Sequence, residues 1–245
     1  MSAPSVLPVT AIEVVTFDAA GTLLCPHPSV GAVYREVALC HACDHAAEAL
    51  DGAFREAFHH VSKDPAVLDP ERRERDFWRR VVLHAFQSLG RTPARFDPFF
   101  DELWETFAHG HRWRVFAGTH ETLAALRRRG YRLGVLSNWD NRLHRVLAET
   151  GLRACFDAVT ISSEAGHEKP DIGIFRCAEA AHGAAPGQFL HVGDSLKHDV
   201  AGARDAGWSV VHVRHDGGPA ADGEVGSLAQ LLDLLPPRRA ETVGR

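Results

Sequence analysis

The sequence predicts an α/β fold: a Rossmann-like parallel sheet with an all-α helical bundle inserted after its first strand. Two observations predict it. Five apolar, β-type runs recur at 12–18, 132–138, 158–163, 188–194 and 209–214, and the last four are separated by helix-length segments, as parallel strands joined by crossover helices require. The interval from 28 to about 113 is far longer than a crossover needs, and its apolar residues recur at helical spacing. The expected domains are a sheet domain of 10–27 with 114–235 and a helical insertion of 28–113.

The first strand ends in one carboxylate. Val14-Val15-Thr16-Phe17 leads into Asp18, then Ala19, Ala20, Gly21 and Thr22. A buried strand that stops at an Asp presents it at the sheet's C-terminal edge, where open α/β sheets bind ligands. The small residues that follow let backbone N–H groups approach an anion closely. A nucleophilic carboxylate facing a phosphoryl group fits this pattern, and so does a plain strand followed by a turn.

In the insertion, Leu50, Phe54, Phe58 and Val61 share helical spacing, as do Phe77, Val81, Phe86 and Leu89, and Phe100, Leu103, Trp104 and Phe107. Pro65, Pro70, Pro93 and Pro98 punctuate them. Such stripes read as bundle core. The insertion is expected to act as a lid over the strand ends, hinged near 26–29 and 112–117. Lys63 is its one lysine.

The later strand ends add chemistry. The second finishes in Ser137-Asn138, where a hydroxyl can hold a phosphoryl oxygen. Lys169 follows the third, in a loop before a helix-like segment from Ile172 to His182, placed to neutralise a phosphate and the carboxylate attacking it. The chain has only three lysines, Lys63, Lys169 and Lys197, and a lysine in an Arg-rich chain marks a place for a compact ammonium. The fourth strand ends in Gly193-Asp194, with Asp199 five residues on. Asp194 opposite Asp18 makes an oxygen-rich site suited to Mg²⁺, and Asp199 can order Lys169 or the metal's waters. An ordinary turn and helix cap is the alternative for this pair.

Composition narrows the partners. A net charge of -5 and a pI near 6.3 argue against nucleic acid, which needs a clustered positive surface. Arg127-Arg128-Arg129 reads as a solvated helix end before Gly130. No segment approaches 18 continuous apolar residues, and Met1 to Thr10 has no leader-like pattern, so a cytoplasmic protein without membrane contact is expected. Five scattered Cys suggest no disulfide framework. Cys40 and Cys43 with His41 and His45 invite a metal or redox reading. No second ligand pair follows, and buried or semi-buried thiols in a helical pattern are expected instead. The 16 His include no His-Glu-x-x-His run and read as surface or satisfied residues. The tail after Leu235, Pro236-Pro237-Arg238-Arg239, is expected to fray.

Asp18, Ser137, Lys169 and Asp194, in that order at successive strand ends, resemble the haloacid dehalogenase superfamily, and the helical insertion resembles its C1-capped subfamily. The likeness runs over roughly 13–213. Phe17 to Leu24, Ser137-Asn138-Trp139-Asp140 and the 193–207 run are similar to the branch of HAD-like domain-containing 3 and REG-2-like proteins. The resemblance implies a Mg²⁺-dependent hydrolase of small phosphorylated metabolites, monomeric or homodimeric. It implies Asp18 as nucleophile, Thr22 and Ser137 as supports of loop and phosphate with Ala19, Ala20, Gly21 and Asn138 beside them, and Lys169 as neutralising cation. The metal ligands it implies are Asp18, Asp194 and the backbone carbonyl of Ala20.

One position departs. Family phosphatases carry a second Asp two residues after the nucleophile as acid and base; here it is Ala20. Such help is worth about 10²–10⁴ in rate, or roughly 3–5 kcal/mol. Four readings follow: a slow phosphatase or one using good leaving groups; a phosphonatase-like C–P hydrolase needing a cap lysine such as Lys63; a 2-haloacid dehalogenase, opposed by Gly193-Asp194; and a phosphate-ligand sensor or partner-binding protein that has lost chemistry.

Overall fold

The computed structural model describes residues 11–215 and 223–238. The N-terminal ten residues and Arg239 lie outside this range. The chain divides into two compact units, 1–24 with 115–138 and 152–245, and 25–114 with 139–151. The sequence reading ran the helical part over 28–113; the helical unit also takes in 139–151.

The elements in chain order are β1 Val14–Phe17, β2 Leu24–Pro26, α1 Val30–Cys40, α2 Ala47–His60, α3 Pro70–Ser88, α4 Phe96–Thr106, β3 Trp113–Val115, α5 Thr119–Arg128 and β4 Arg132–Ser137. Then come α6 Arg142–Glu149, β5 Ala158–Ile161, α7 Ser162–Ala165, α8 Ile172–His182, β6 Phe189–Gly193, a π-helical turn over Leu196–Ala201, α9 Gly202–Asp205, β7 Ser209–Val213, β8 Glu224–Val225 and α10 Leu231–Leu234. The six-stranded sheet has the order β5-β4-β1-β6-β7-β8, and every neighbouring pair is parallel. It belongs to an α/β fold. β1 sits centrally, pairing Phe17 with Val135 on one side and with Val192 on the other. Strand order reverses there, at the kind of switch point where such sheets open a crevice. Asp18, Ser137 and Asp194 therefore emerge together at one edge.

The sheet core is apolar throughout. Val14, Phe17, Leu133, Leu136, Phe189 and Leu190 are fully buried, as strands covered on both faces require. α8 matches its sequence-predicted span. The Asp171 side chain accepts from Gly173 N at its start, and Gly183, at φ +58°, ends it in a left-handed turn.

In the helical unit, α1 to α4 share one core. Val33, Tyr34 and Val37 meet Leu50, Val82, Phe86, Phe99 and Leu103. Ser29 caps α1 by accepting from Ala32 N, and its hydroxyl donates to Asp51. Two stripe positions differ from expectation: Phe58 is 44% exposed, and Val61 lies past the end of α2. The chain passes between the units along β2 and β3, which pair as a separate two-stranded sheet.

Several expectations are corrected. β8 is a sixth strand, too short to show a period. Ser162 and Ser163 begin α7 rather than ending β5. Cys40 ends α1, so Cys43 lies beyond the helix. Arg127 and Arg128 are exposed at the end of α5, as a solvated helix end requires, with Arg127 meeting Asp157 at 3.0 Å; Arg129 departs from that reading and donates to the carbonyls of Leu232 and Leu235. The tail does not fray over 236–238, where Tyr131 donates to Pro236 O, Arg238 N to Arg129 O, and the Arg238 guanidinium meets Glu13. Among the described residues, no helix is long and apolar enough to cross a membrane.

Phe189 stacks on Trp208 with ring centroids 4.0 Å apart. Phe189→Ala should lower stability by about 3–5 kcal/mol through the cavity it leaves, measured by denaturant unfolding; a loss below about 1 kcal/mol would show the ring is not packed as described.

Candidate active site

Asp18 follows β1 directly, and its backbone N–H donates to Val192 O at 2.9 Å, tying it to β6. Next, the chain folds back on the Ala19 carbonyl, which accepts from the N–H groups of Leu23 at 2.8 Å and Leu24 at 3.1 Å. This tight loop holds Ala20 exposed and Thr22 buried. Gly21 sits at φ +86°, and a Cβ there would lie 2.4 Å from Asp194 Oδ2. Only glycine both takes this backbone conformation and leaves room for the carboxylate.

Three chain segments converge on Lys169. Its Nζ donates to Asp18 Oδ1 at 2.7 Å, Asp199 Oδ1 at 2.6 Å and Leu136 O at 2.8 Å. Ser137 Oγ also donates to Asp18 Oδ1, at 2.8 Å. Both donors reach the same Asp18 oxygen, so Oδ2 is the one left for a ligand. Asn138 is engaged with the Lys169 backbone. Its Nδ2 donates to Lys169 O at 2.8 Å, and its Oδ1 accepts from Lys169 N at 2.6 Å. This reciprocal pair fixes the lysine's backbone.

Asp194 stands one residue past β6. Thr22 Oγ1 donates to its Oδ1 at 3.1 Å. Gly193 leaves space for Asp199, whose Cγ would lie 2.2 Å from a Cβ at that position. Asp199 is buried: Oδ1 meets Lys169, and Oδ2 accepts from Ser195 N at 2.9 Å.

Electrostatics follow from this crowding. Burial alone would push the Lys169 ammonium down, but Asp18 and Asp199 outweigh it and hold it above the ordinary lysine value. Burial would likewise raise Asp199; Lys169 and His191 overcome it, and the carboxyl lies well below its usual range. Asp194 has no such cation. Solvent lost to the surrounding protein, then the negative charges of Asp18 and Asp199, push it up to about 6.

Carboxylate oxygens of Asp18, Asp194 and Asp199 all lie within 4.8 Å of one another. Three carboxylates face one ammonium, and hard oxygen donors with surplus negative charge fit a divalent cation such as Mg²⁺. Asp199 already serves Lys169 and Ser195, so Asp18 and Asp194 are the pair best placed to hold it. Among the described residues, no other His, Cys, Asp and Glu cluster of this kind occurs.

Two groups that sequence reasoning passed over also steady the loops. His212 Nε2 donates to Asp194 O at 2.9 Å, and His215 Nε2 to Thr22 O at 2.9 Å, since a carbonyl can only accept. Another two, Thr16 and His191, lie deeper. The signal for that pair was a polar residue inside each of two otherwise apolar strands.

The remaining candidates lie in the helical unit. Lys63 pairs with the buried Glu74, and its ammonium stands 5.6 Å from the centre of the Phe77 ring. Cys43 is buried and Cys40 exposed, and both are free thiols. His41 meets Glu102, and His45 meets Arg91 O.

Residues 12–207 match the haloacid dehalogenase-like hydrolase family. The chain is 36% identical over 199 residues to the human haloacid dehalogenase-like hydrolase domain-containing protein 3, covering 80% of this chain and 79% of that one. It is 39% identical over 139 residues to phosphoserine phosphatase of Thermus thermophilus, covering 56% and 54%. The structure of a HAD phosphatase from Thermococcus onnurineus superposes with a TM-score of 0.67 at 25% identity, covering 94% of this chain and all of that one. This chain belongs to the haloacid dehalogenase-like hydrolases.

Proposed function

We propose that this hydrolase is a Mg²⁺-dependent phosphatase of small phosphorylated molecules that works through an aspartyl-phosphate on Asp18. The observation that carries the reading is the placing of Ser137 and Lys169 on one oxygen of Asp18, with Asp194 beside it. Two donors on Oδ1 orient the carboxylate and leave Oδ2 to attack. The names of similar proteins, a phosphoserine phosphatase and a HAD phosphatase, support the same class.

In this reading Asp18 Oδ2 attacks phosphorus, and the bond from phosphorus to the leaving oxygen breaks. Lys169 offsets the charge of the nucleophile and of the group it meets. Water then attacks phosphorus of the aspartyl-phosphate, releasing inorganic phosphate and restoring Asp18. Asp18, Asp194 and the Ala20 carbonyl would hold Mg²⁺, which supplies positive charge to the phosphoryl oxygens when bound. Ala20 carries no proton, so leaving groups that depart unprotonated, acyl and aryl phosphates, suit the site best.

Ala20 also favours a second reading, a sensor that binds phosphate ligands without turnover. Incubation with acetyl phosphate and para-nitrophenyl phosphate, with and without Mg²⁺, separates the two. Phosphate release that EDTA stops supports the phosphatase; silence with measurable phosphate binding supports the sensor.

Asp18→Asn should reduce release to background, and unchanged activity would remove the nucleophile. Ala20→Asp should raise turnover of an alkyl phosphate by about 10²-fold, the lower bound for general acid–base help. A flat rate would place the proton donor elsewhere.

A further inference from the structure

Behind the Lys169–Asp199 pair lies an imidazole that the reaction above does not use. His191, in β6, is fully buried. Its ring meets Phe175 edge-on, with centroids 6.0 Å apart, and neighbours Trp208. Nε2 stands 3.0 Å from Asp199 Oδ1, and Nδ1 stands 2.9 Å from Thr16 Oγ1. Thr16 and His191 are direct partners across the β1–β6 pairing, and Thr16 is two residues before Asp18. One strand thus carries both the site carboxylate and the hydroxyl that meets this ring.

Donor logic orders the chain. Asp199 is ionised and can only accept, so the hydrogen sits on His191 Nε2. Burial pushes the imidazole down, disfavouring its cation. The neutral ring then bears its lone pair on Nδ1, and the Thr16 hydroxyl donates to it. The sequence of bonds runs from Thr16 O–H to His191 Nδ1, and from His191 Nε2–H to Asp199 Oδ1. That same oxygen accepts from Lys169, whose ammonium also reaches Asp18 Oδ1.

We propose that His191 is a positioning residue: its Nε2–H fixes Asp199 Oδ1 and, through it, holds the Lys169 ammonium against Asp18. The kinetic consequence rests on the phosphatase reading; the hydrogen-bond assignment does not. Without the imidazole donor, Asp199 loses one of its partners, and Lys169 shifts toward Asp199 and away from Asp18. The ring touches no substrate, so its loss acts on turnover rather than on binding.

Two measurements test this. In ¹⁵N-labelled protein at neutral pH, the His191 ring should show a protonated Nε2; a bare Nε2 overturns the proposal. Kinetically, His191→Phe keeps a ring without a donor, whereas His191→Gln keeps an N–H where Nε2 stood. With acetyl phosphate and Mg²⁺, His191→Phe should lower kcat about 10- to 100-fold, the usual cost of losing an outer-shell partner, with KM within about twofold. His191→Gln should recover most of that loss. Equal losses in both variants, no loss in His191→Phe, or a change confined to KM overturns the proposal. If His191→Phe does not fold, the wild-type tautomer carries the test, and a bare Nε2 overturns the proposal. A wild type that releases no phosphate sinks the phosphatase reading alone, and the tautomer then decides the positioning role.

Discussion

A buried ammonium shared between two carboxylates organises this molecule. An uncompensated charge at that depth would cost a large share of a domain's margin of stability. Lys169 is tolerated because Asp18, Asp199 and the Leu136 carbonyl all accept from it. Removing one member of a buried pair typically costs about 3–5 kcal/mol, so the ends of β1, β4 and β6 and the loop before α8 are pinned to one point. The parallel sheet brings these segments near each other; the lysine sets their final separations.

The cluster leaves negative charge unbalanced, and the imbalance falls on Asp194. Its carboxyl is pushed up to about 6, while the carboxyl of Asp199, with Lys169 as partner, is held low. Two acidic groups five residues apart in sequence thus differ because one has a cation and the other lacks one. A divalent ion held by Asp18 and Asp194 would relieve that strain. Gly21 and Gly193 serve the same arrangement, since a methyl group at either would collide with an aspartate carboxylate.

Family membership defines a hydrolase, and the residue at position 20 sets this chain apart within the chemistry that the resemblance implies. The residues that orient Asp18 are present and hydrogen-bonded. The side chain at Ala20 can neither donate nor accept a proton. In the phosphatase reading proposed above, the burden of departure therefore moves to the leaving group, and that reading favours acyl and aryl phosphates. Support for the site also extends inward, through Asp199 to His191 and Thr16, beyond any group that a ligand would touch.

Much of the fold was legible in the linear chain. Apolar runs ending in Asp18, Ser137 and Asp194 marked strands and the edge where they meet, because a buried strand needs a continuous apolar stretch and a polar end. The helix-like segment 172–182 matched α8, whose ends are set locally by Asp171 and Gly183. Less was legible where packing decides. β2, β3 and β8 are too short to show a period, and Phe58 has helical spacing yet is 44% exposed while its ring meets Phe54, Phe77 and Trp78. Arg129 looked like a solvated helix end because the carbonyls it binds, at Leu232 and Leu235, lie about a hundred residues away. By itself the sequence determined which residue types stand at each strand end. Only the tertiary structure decided that Lys169 bridges Asp18 to Asp199 and that a buried imidazole backs the bridge, because hydrogen bonds between strands distant in sequence depend on register and burial, which no local pattern records.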